Sequence, residues 1–349
     1  MPELCRFCAS LSPDDGDVKC AMNRNTVFRF PRLAGAMVLA IAASRAEAAQ
    51  IQNLSLDTAA GPRQYILATP DVPAAGPRPL VLLLHGHIGT AANALGQGAR
   101  PSPLSAWLKI ADREKVLVAA LQGLKGSDKR TGWHDCRVDD SRNPAVDDVG
   151  FAAGVVSSLV QAGRADPHRL YVMGMSNGGM MAYRLALEMH PAPIAIAAAS
   201  SSMASNSVCN GTPPKVSVLL INGAADPIVP YGGGPVGLFG GKAGSGSGVI
   251  GAEASRDFWL RADGLGGTAP AAYSFPHLSA DDPTQASKLS YGPRNGPQVE
   301  TIVIQNGGHV EPSLCCHYGW LYSQLVGKQN SDFESAEEAW SFFKDKSSE

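Results

Sequence analysis

The sequence predicts an α/β protein, a mostly parallel sheet with helices on both faces. Three observations carry that prediction. Continuous apolar runs of strand length recur along the chain, as strands buried on both faces require. Stretches with apolar residues at helical spacing separate them, and strands joined through helices pair in parallel. Of 349 residues, 44% are hydrophobic and 17% charged, enough for a large core and too apolar for a disordered chain.

The first 48 residues stand outside the pattern. Residues 33–43 (LAGAMVLAIAA) form an apolar run behind Arg24, Arg29 and Arg32, and Ala46-Glu47-Ala48 follows. These are the three regions of a secretory signal peptide, too short to cross a bilayer, which takes about 20 helical residues. Met22 is placed to start it, so residues 1–21 read as an upstream extension from a mis-called start codon, and residues 22–48 as the signal. Residues 49–349 are then one domain, secreted or periplasmic, without a stable membrane anchor.

Within that domain the elements follow in order. Residues 80–84 (LVLLL) and 116–121 (VLVAAL) read as buried strands. Asn143-Pro144 opens a helix, with Asp147 and Asp148 near its positive end and Val149, Ala152, Val156, Leu159 and Val160 on its apolar face. Residues 169–173 form a strand, 177–189 a helix, 194–199 and 216–221 strands, 252–262 a helix, and 299–304 the last strand. Residues 334–344 close the chain as a helix that turns Phe333, Trp340 and Phe343 inward. The glycine-rich stretch 231–251 holds no predictable element and reads as a surface loop, because the strand pattern resumes beyond it.

Charge and cysteine content narrow the function. With 29 Lys+Arg against 31 Asp+Glu, the chain lacks the basic excess of a nucleic-acid binder. Cys5-x-x-Cys8 has no histidine beside it, and His85 with His87 has no carboxylate or third histidine nearby, so no metal is expected. Nor is a cofactor: no G-x-G-x-x-G follows the first strand. Cys136, Cys209, Cys315 and Cys316 imply one or two disulfides in an exported chain. A vicinal bridge strains the peptide, so Cys315 and Cys316 are expected to reach different partners.

Gly174-Met175-Ser176-Asn177-Gly178 lies between a strand and a helix, the setting in which G-x-S-x-G exposes a nucleophilic serine on a sharp turn. A serine needs a base, and the base an orienting acid, here in the chain order Ser, acid, His. Asp226 lies just beyond strand 216–221, ahead of the rivals Asp257, Asp263, Asp281 and Asp282. His309 follows the last strand behind Gly307-Gly308, and its rival is His317. The backbone N–H of Asn177, with that of His87 or next Ile88, would form the oxyanion hole. Trp133, His134 and Tyr231 are candidates for the substrate pocket, with plain packing an equal reading of Trp133.

The same residues resemble an esterase family of the α/β-hydrolase superfamily that includes polyhydroxybutyrate depolymerases and feruloyl or acetylxylan esterases. The resemblance is carried by Leu84-His85-Gly86 with Gly89-Thr90, by Gly132-Trp133, by Asp147-Asp148-Val149-Gly150-Phe151, and above all by Gly174-Met175-Ser176-Asn177-Gly178-Gly179-Met180-Met181. Asp226-Pro227-Ile228-Val229-Pro230-Tyr231 and Gly307-Gly308-His309 complete it. It implies an α/β-hydrolase fold, an esterase, and a triad of Ser176, Asp226 and His309. The chain departs from the family after the histidine, where Val310-Glu311-Pro312 replaces the usual aromatic, and at Cys315-Cys316-His317. No added polymer-binding domain is visible, which favours small-molecule or oligomeric esters. Rival readings are an amidase or peptidase on the same fold, or an inactive hydrolase fold that binds a ligand.

Overall fold

The computed structural model describes residues 49–98, 102–138, 140, 142–209, 211, 215–238 and 248–348. The expected extension and signal peptide lie outside the described residues, which all belong to one compact unit, Arg45–Glu349. The chain enters on the hairpin β1 (Gln50–Thr58) and β2 (Gly61–Thr69), then β3 (Arg78–Leu84), the short helix α1 (Ala91–Ala94), α2 (Trp107–Glu114) and β4 (Leu117–Leu121). A small ribbon, β5 (Leu124–Lys125) with β6 (Thr131–Gly132), precedes α3 (Asp148–Gln161), β7 (Ala165–Met175), α4 (Asn177–Glu188), β8 (Ala195–Ala199) and β9 (Ser217–Gly223). A second ribbon, β10 (Gly233–Pro235) with β11 (Gly248–Ile250), leads to α5 (Ala252–Ala262). Strands β12 (Ala271–Ser274), β13 (Gln285–Tyr291) and β14 (Val299–Gln305) follow, then α6 (Trp320–Val326) and α7 (Ser335–Phe343).

Ten strands form the main sheet in the order β1-β2-β4-β3-β7-β8-β9-β14-β13-β12. The middle six, β4 to β14 in that order, are parallel, and antiparallel hairpins extend both edges. The parallel strands are apolar on both faces because each face is roofed by helices. Alternate residues divide between two cores, as the two-residue period of a strand requires. Leu80, Leu82 and Leu84 pack with Val172 and the α3 residues Phe151, Val155 and Leu159. Val81 and Leu83 pack on the other side with Met173, Trp107, Ile110 and the α7 residues Trp340 and Phe343. There Tyr171 stacks on Phe343 with ring centroids 5.0 Å apart, and Trp107 covers Phe343 at 6.2 Å. Among the described residues, no helix is long and apolar enough to cross a membrane.

Three expectations change. Helix α3 opens at Asp148, not at Asn143-Pro144: Asp147 caps it by accepting the Gly150 N–H at 2.7 Å, while Asn143 turns inward to donate to Asp135 at 3.2 Å. The stretch 231–251 is not featureless, since β10 and β11 pair Gly234 with Val249. Cys136 and Cys209 are bridged, with Cα atoms 5.3 Å apart, and Cys315 and Cys316 are free thiols whose sulfurs lie 3.0 Å from each other. Cys316 Sγ faces Ser105 Oγ at 3.7 Å, and Cys315 Sγ faces Glu334.

Asp263 gives a pH prediction. It accepts the Val216 N–H at 3.2 Å at the entry end of β9, and its second oxygen is buried without a partner. Burial pushes its carboxyl up to about 7. The folded state therefore holds a proton that the unfolded chain loses near the ordinary carboxylate range, so stability falls as pH rises from about 4 to above 7. Asp263→Asn is expected to flatten this decline, recovering on the order of 3 kcal/mol at pH 8. Denaturant midpoints at pH 5 and pH 8 check it, and an unchanged pH slope in the variant refutes it.

Candidate active site

Strand β7 ends at Met175 and α4 begins at Asn177, leaving Ser176 alone in the turn with φ 54° and ψ −122°. A non-glycine residue is strained there, and the turn is pinned on both sides. Ser176 N–H donates to Ala199 O and Met180 N–H to Ser176 O, each at 2.9 Å. The flanking glycines are needed for close approach: a β-carbon on Gly178 would overlap the carbonyl oxygen of Leu84 in β3, and one on Gly174 would overlap the carbonyl of Gly178. Gly178→Ala is accordingly expected to destabilise the fold by about 3 kcal/mol, the upper range for overpacking, because the obstacle is central backbone. A melting temperature within a degree or two of the parent would show that the turn can relax.

The structure brings Ser176, His309 and Asp226 together. His309 Nε2 lies 2.8 Å from Ser176 Oγ, and His309 Nδ1 lies 2.8 Å from Asp226 Oδ2. Asp226 Oδ1 accepts the N–H groups of Ile228 and Val229, both at 2.8 Å, which fixes the carboxylate and leaves Oδ2 for the imidazole. The loops after β9 and β14 are tied to each other: Ala224 N–H donates to Ile304 O and Ala225 N–H to Gly307 O, each at 2.9 Å. Gly308 N–H reaches Lys328 O at 2.8 Å and His309 N–H reaches Val326 O at 2.6 Å, so the backbone beside the histidine packs on the end of α6 and the segment that follows it. A carboxylate on Nδ1 sets the tautomer in which Nε2 can accept the serine proton. The rivals sit elsewhere. His317 is exposed, and Asp263 occupies the opposite end of β9 from Asp226.

The first-turn N–H of α4 at Asn177 has no acceptor within its own helix and points the positive end of the dipole at Ser176. The Asn177 side chain anchors this end. Its Oδ1 accepts Trp133 N–H at 2.7 Å, and its Nδ2 donates to Trp133 O at 3.1 Å and to buried Asp135 at 2.7 Å. From the loop after β3, Ile88 N–H is already spent on Thr131 O at 2.8 Å, which leaves His87 as that loop's candidate donor. The His87 ring is held by Asp128 at 2.8 Å. His85 is buried, which lowers its imidazole to about 4 and keeps it neutral. Its Nδ1–H donates to Gly86 O at 2.8 Å and its Nε2 accepts Gly123 N–H at 3.0 Å, so both nitrogens brace the loop.

A cavity of about 90 Å³ opens at Ser176, lined by His87, Asn143, Asn177, Met180, Ile228 and Val236 among others. None of the three sequence candidates for the pocket is among its lining residues. Trp133 is 1% exposed and donates from its indole to His85 O at 2.8 Å, so it is packing. His134 turns to Val146 O at 3.1 Å. Tyr231 lines a different cavity, with Glu253 and Arg256. Met180 and Ile228 were missed, although their positions were readable: one is a helical turn after the serine, the other two residues after the acid. Val236 lies in the glycine-rich stretch and had no signal.

No protein-family model matches the chain. Over 175 residues, 49% of the chain, it is 38% identical to a protein named "Putative esterase NocK" from Nocardia uniformis subsp. tsuyamanensis. The match covers 47% of that protein, so the chain spans about half the length of the curated relative it matches. Similar solved structures include an acetyl xylan esterase from Aspergillus awamori, at 13% identity and TM-score 0.48 over 79% of this chain and 98% of that one. A ferulic acid esterase is another, at 14% identity and TM-score 0.39 over 52% of this chain and 81% of that one. The strand order, the six parallel central strands and the strand-to-helix turn at Ser176 make this an α/β-hydrolase fold.

Proposed function

We propose that the chain is an exported serine carboxylesterase of the polyhydroxybutyrate depolymerase and feruloyl or acetylxylan esterase type. The observation that carries this is the unbroken relay from Ser176 Oγ through His309 to Asp226, two contacts of 2.8 Å at the carboxyl ends of three strands. Ser176 Oγ attacks the ester carbonyl carbon while His309 Nε2 takes its proton, and Asp226 stabilises the imidazolium. The N–H groups of Asn177 and His87 receive the oxyanion, a pair in which each donor is worth about 10²–10³ in turnover. The tetrahedral adduct collapses, His309 returns the proton to the leaving alcohol oxygen, and the acyl group stays on Ser176. Water then attacks the acyl-enzyme with His309 as base, releasing the acid and restoring the serine.

The cavity of about 90 Å³ at Ser176 is small beside ordinary ligand pockets of about 300–1,000 Å³, which favours short acyl groups over a feruloyl ring. The similarity to a protein named as an esterase and the Cys136–Cys209 bridge, suited to an oxidising compartment, support the reading. Residues 50–349 would be assayed on short-chain p-nitrophenyl esters, methyl ferulate, acetylated xylan and soluble 3-hydroxybutyrate oligomers. Hydrolysis of the short and hydroxyacid esters is expected. A folded protein silent on every ester would reject the esterase in favour of an amidase or a ligand-binding protein.

A further inference from the structure

Two free thiols stand side by side in the segment between His309 and α6. Cys315 Sγ and Cys316 Sγ are 3.0 Å apart, inside the ordinary van der Waals separation of two sulfur atoms. The backbone holds them there. Buried Ser313 turns its Oγ to accept Cys315 N–H at 3.3 Å and Cys316 N–H at 3.0 Å, and the same hydroxyl donates to Glu334 Oε2 at 2.8 Å. Cys316 O accepts Gln329 Nε2 at 3.0 Å. The two side chains therefore converge on a fixed turn. They are also reachable, since Cys315 is exposed and Cys316 half-buried.

We propose that Cys315 and Cys316 are a site of reversible covalent modification, at which a small-molecule disulfide such as oxidised glutathione converts the two thiols into a vicinal disulfide. The proposal is independent of the esterase reading. Strain in a bridge between neighbours argues against a permanent clamp, and for the same reason such a bridge is easily reduced. Cys136–Cys209 is the opposite case, joining distant segments with Cys136 only 6% exposed. Partial burial, the Cys316 sulfur and Glu334 push the Cys315 thiol up to about 11, so the first attack belongs to Cys316. Cys316 Sγ loses its proton to water and attacks one sulfur of the glutathione disulfide. That S–S bond breaks, one glutathione leaves as a thiolate and is reprotonated by water, and the other stays on Cys316. Cys315 Sγ then passes its proton to Glu334 Oε2, 3.6 Å away, and attacks Cys316 Sγ. The second glutathione thiolate is expelled and takes up that proton. The two cysteines have lost two electrons and two protons, and one glutathione disulfide has become two glutathiones.

The test equilibrates the purified chain in a series of reduced and oxidised glutathione mixtures. Each sample is quenched with acid, labelled with N-ethylmaleimide, digested and weighed by mass spectrometry. In oxidising mixtures both labels are expected to vanish together from the peptide that carries Cys315 and Cys316, which then weighs two hydrogens less than its unlabelled dithiol form. The labels should return at a reduced glutathione concentration about 10-fold or more below the one that opens Cys136–Cys209, as an exposed and strained bridge requires. With Cys315→Ser the reaction should stop at a glutathione adduct on Cys316. Full labelling of both thiols in every mixture overturns the proposal, as does a lasting glutathione adduct on the parent or a bridge from either cysteine to any other residue or copy. Opening of both disulfides at the same glutathione concentration overturns the reversible role, because the pair would then be a second permanent clamp.

Discussion

Replacing Ser176 with alanine is expected to lower ester turnover by about 10⁶-fold, with the melting temperature nearly unchanged. The size follows from the relay. Once Oγ is gone no acyl-enzyme forms, and the residual rate is that of water attacking an ester held by the Asn177 and His87 N–H groups. The fold should tolerate the change because Ser176 contributes no side-chain cap to α4 and the turn is held by backbone bonds to Ala199 and Met180. Asp226→Asn is expected to cost less, about 10⁴-fold, since it spoils the tautomer of His309 but leaves the nucleophile. Initial rates on p-nitrophenyl butanoate measure both. An alanine variant within tenfold of its parent would remove Ser176 from the mechanism.

The sequence carried the sheet's centre and the polar relay better than it carried the edges and the pocket. Strands β3, β4, β7, β8 and β9 are buried on both faces and declare themselves as apolar runs. The edge strand β1 is written QIQNLSLDT, with polar residues facing solvent, and offers no such run, whereas Tyr65–Ala68 of β2 is an apolar run buried on both faces that went unread because it is only four residues long. Strands β12 and β13 stayed hidden for the same reason as β1, since β12 is exposed throughout. Ser176, Asp226 and His309 could be singled out because each follows a readable strand. Of the cavity lining, Met180 and Ile228 sit at positions readable from the serine and the acid, while Val236 carries no such mark. Trp133 read equally as a pocket aromatic or as packing, and what decides for packing is the bond of its indole to His85 O, which only the folded loop reveals. Cys315 and Cys316 misled in the opposite way, because cysteine arithmetic counts sulfurs and cannot see that the loop after β14 turns them towards Glu334 and Ser105.

Loss of the Cys136–Cys209 bridge is expected to have the largest effect on stability, and to reach the active site as well. The bridge spans a sequence separation of 73, so the chain-entropy model assigns it about 4 kcal/mol through the unfolded state. Its position extends the consequence. Cys136 lies between Asp135 and Arg137, an ion pair at 2.7 Å with both side chains buried, and Asp135 accepts the Asn177 side chain at 2.7 Å. Cys209 belongs to the neighbouring segment, where Val208 N–H donates to Cys136 O at 2.9 Å. The disulfide thus clamps the loop that holds the first residue of α4, and with it the Asn177 N–H assigned to the oxyanion. Cys136→Ser with Cys209→Ser should lower the denaturation midpoint by the equivalent of about 4 kcal/mol and reduce kcat more than it raises KM, since an oxyanion contact acts in the transition state. Unfolding curves with kinetics at a temperature where the variant remains folded separate the two effects. A destabilised variant with unaltered kcat would confine the bridge to stability, and equal stability with and without it would show that the loop's ion pairs and hydrogen bonds hold it without the bridge.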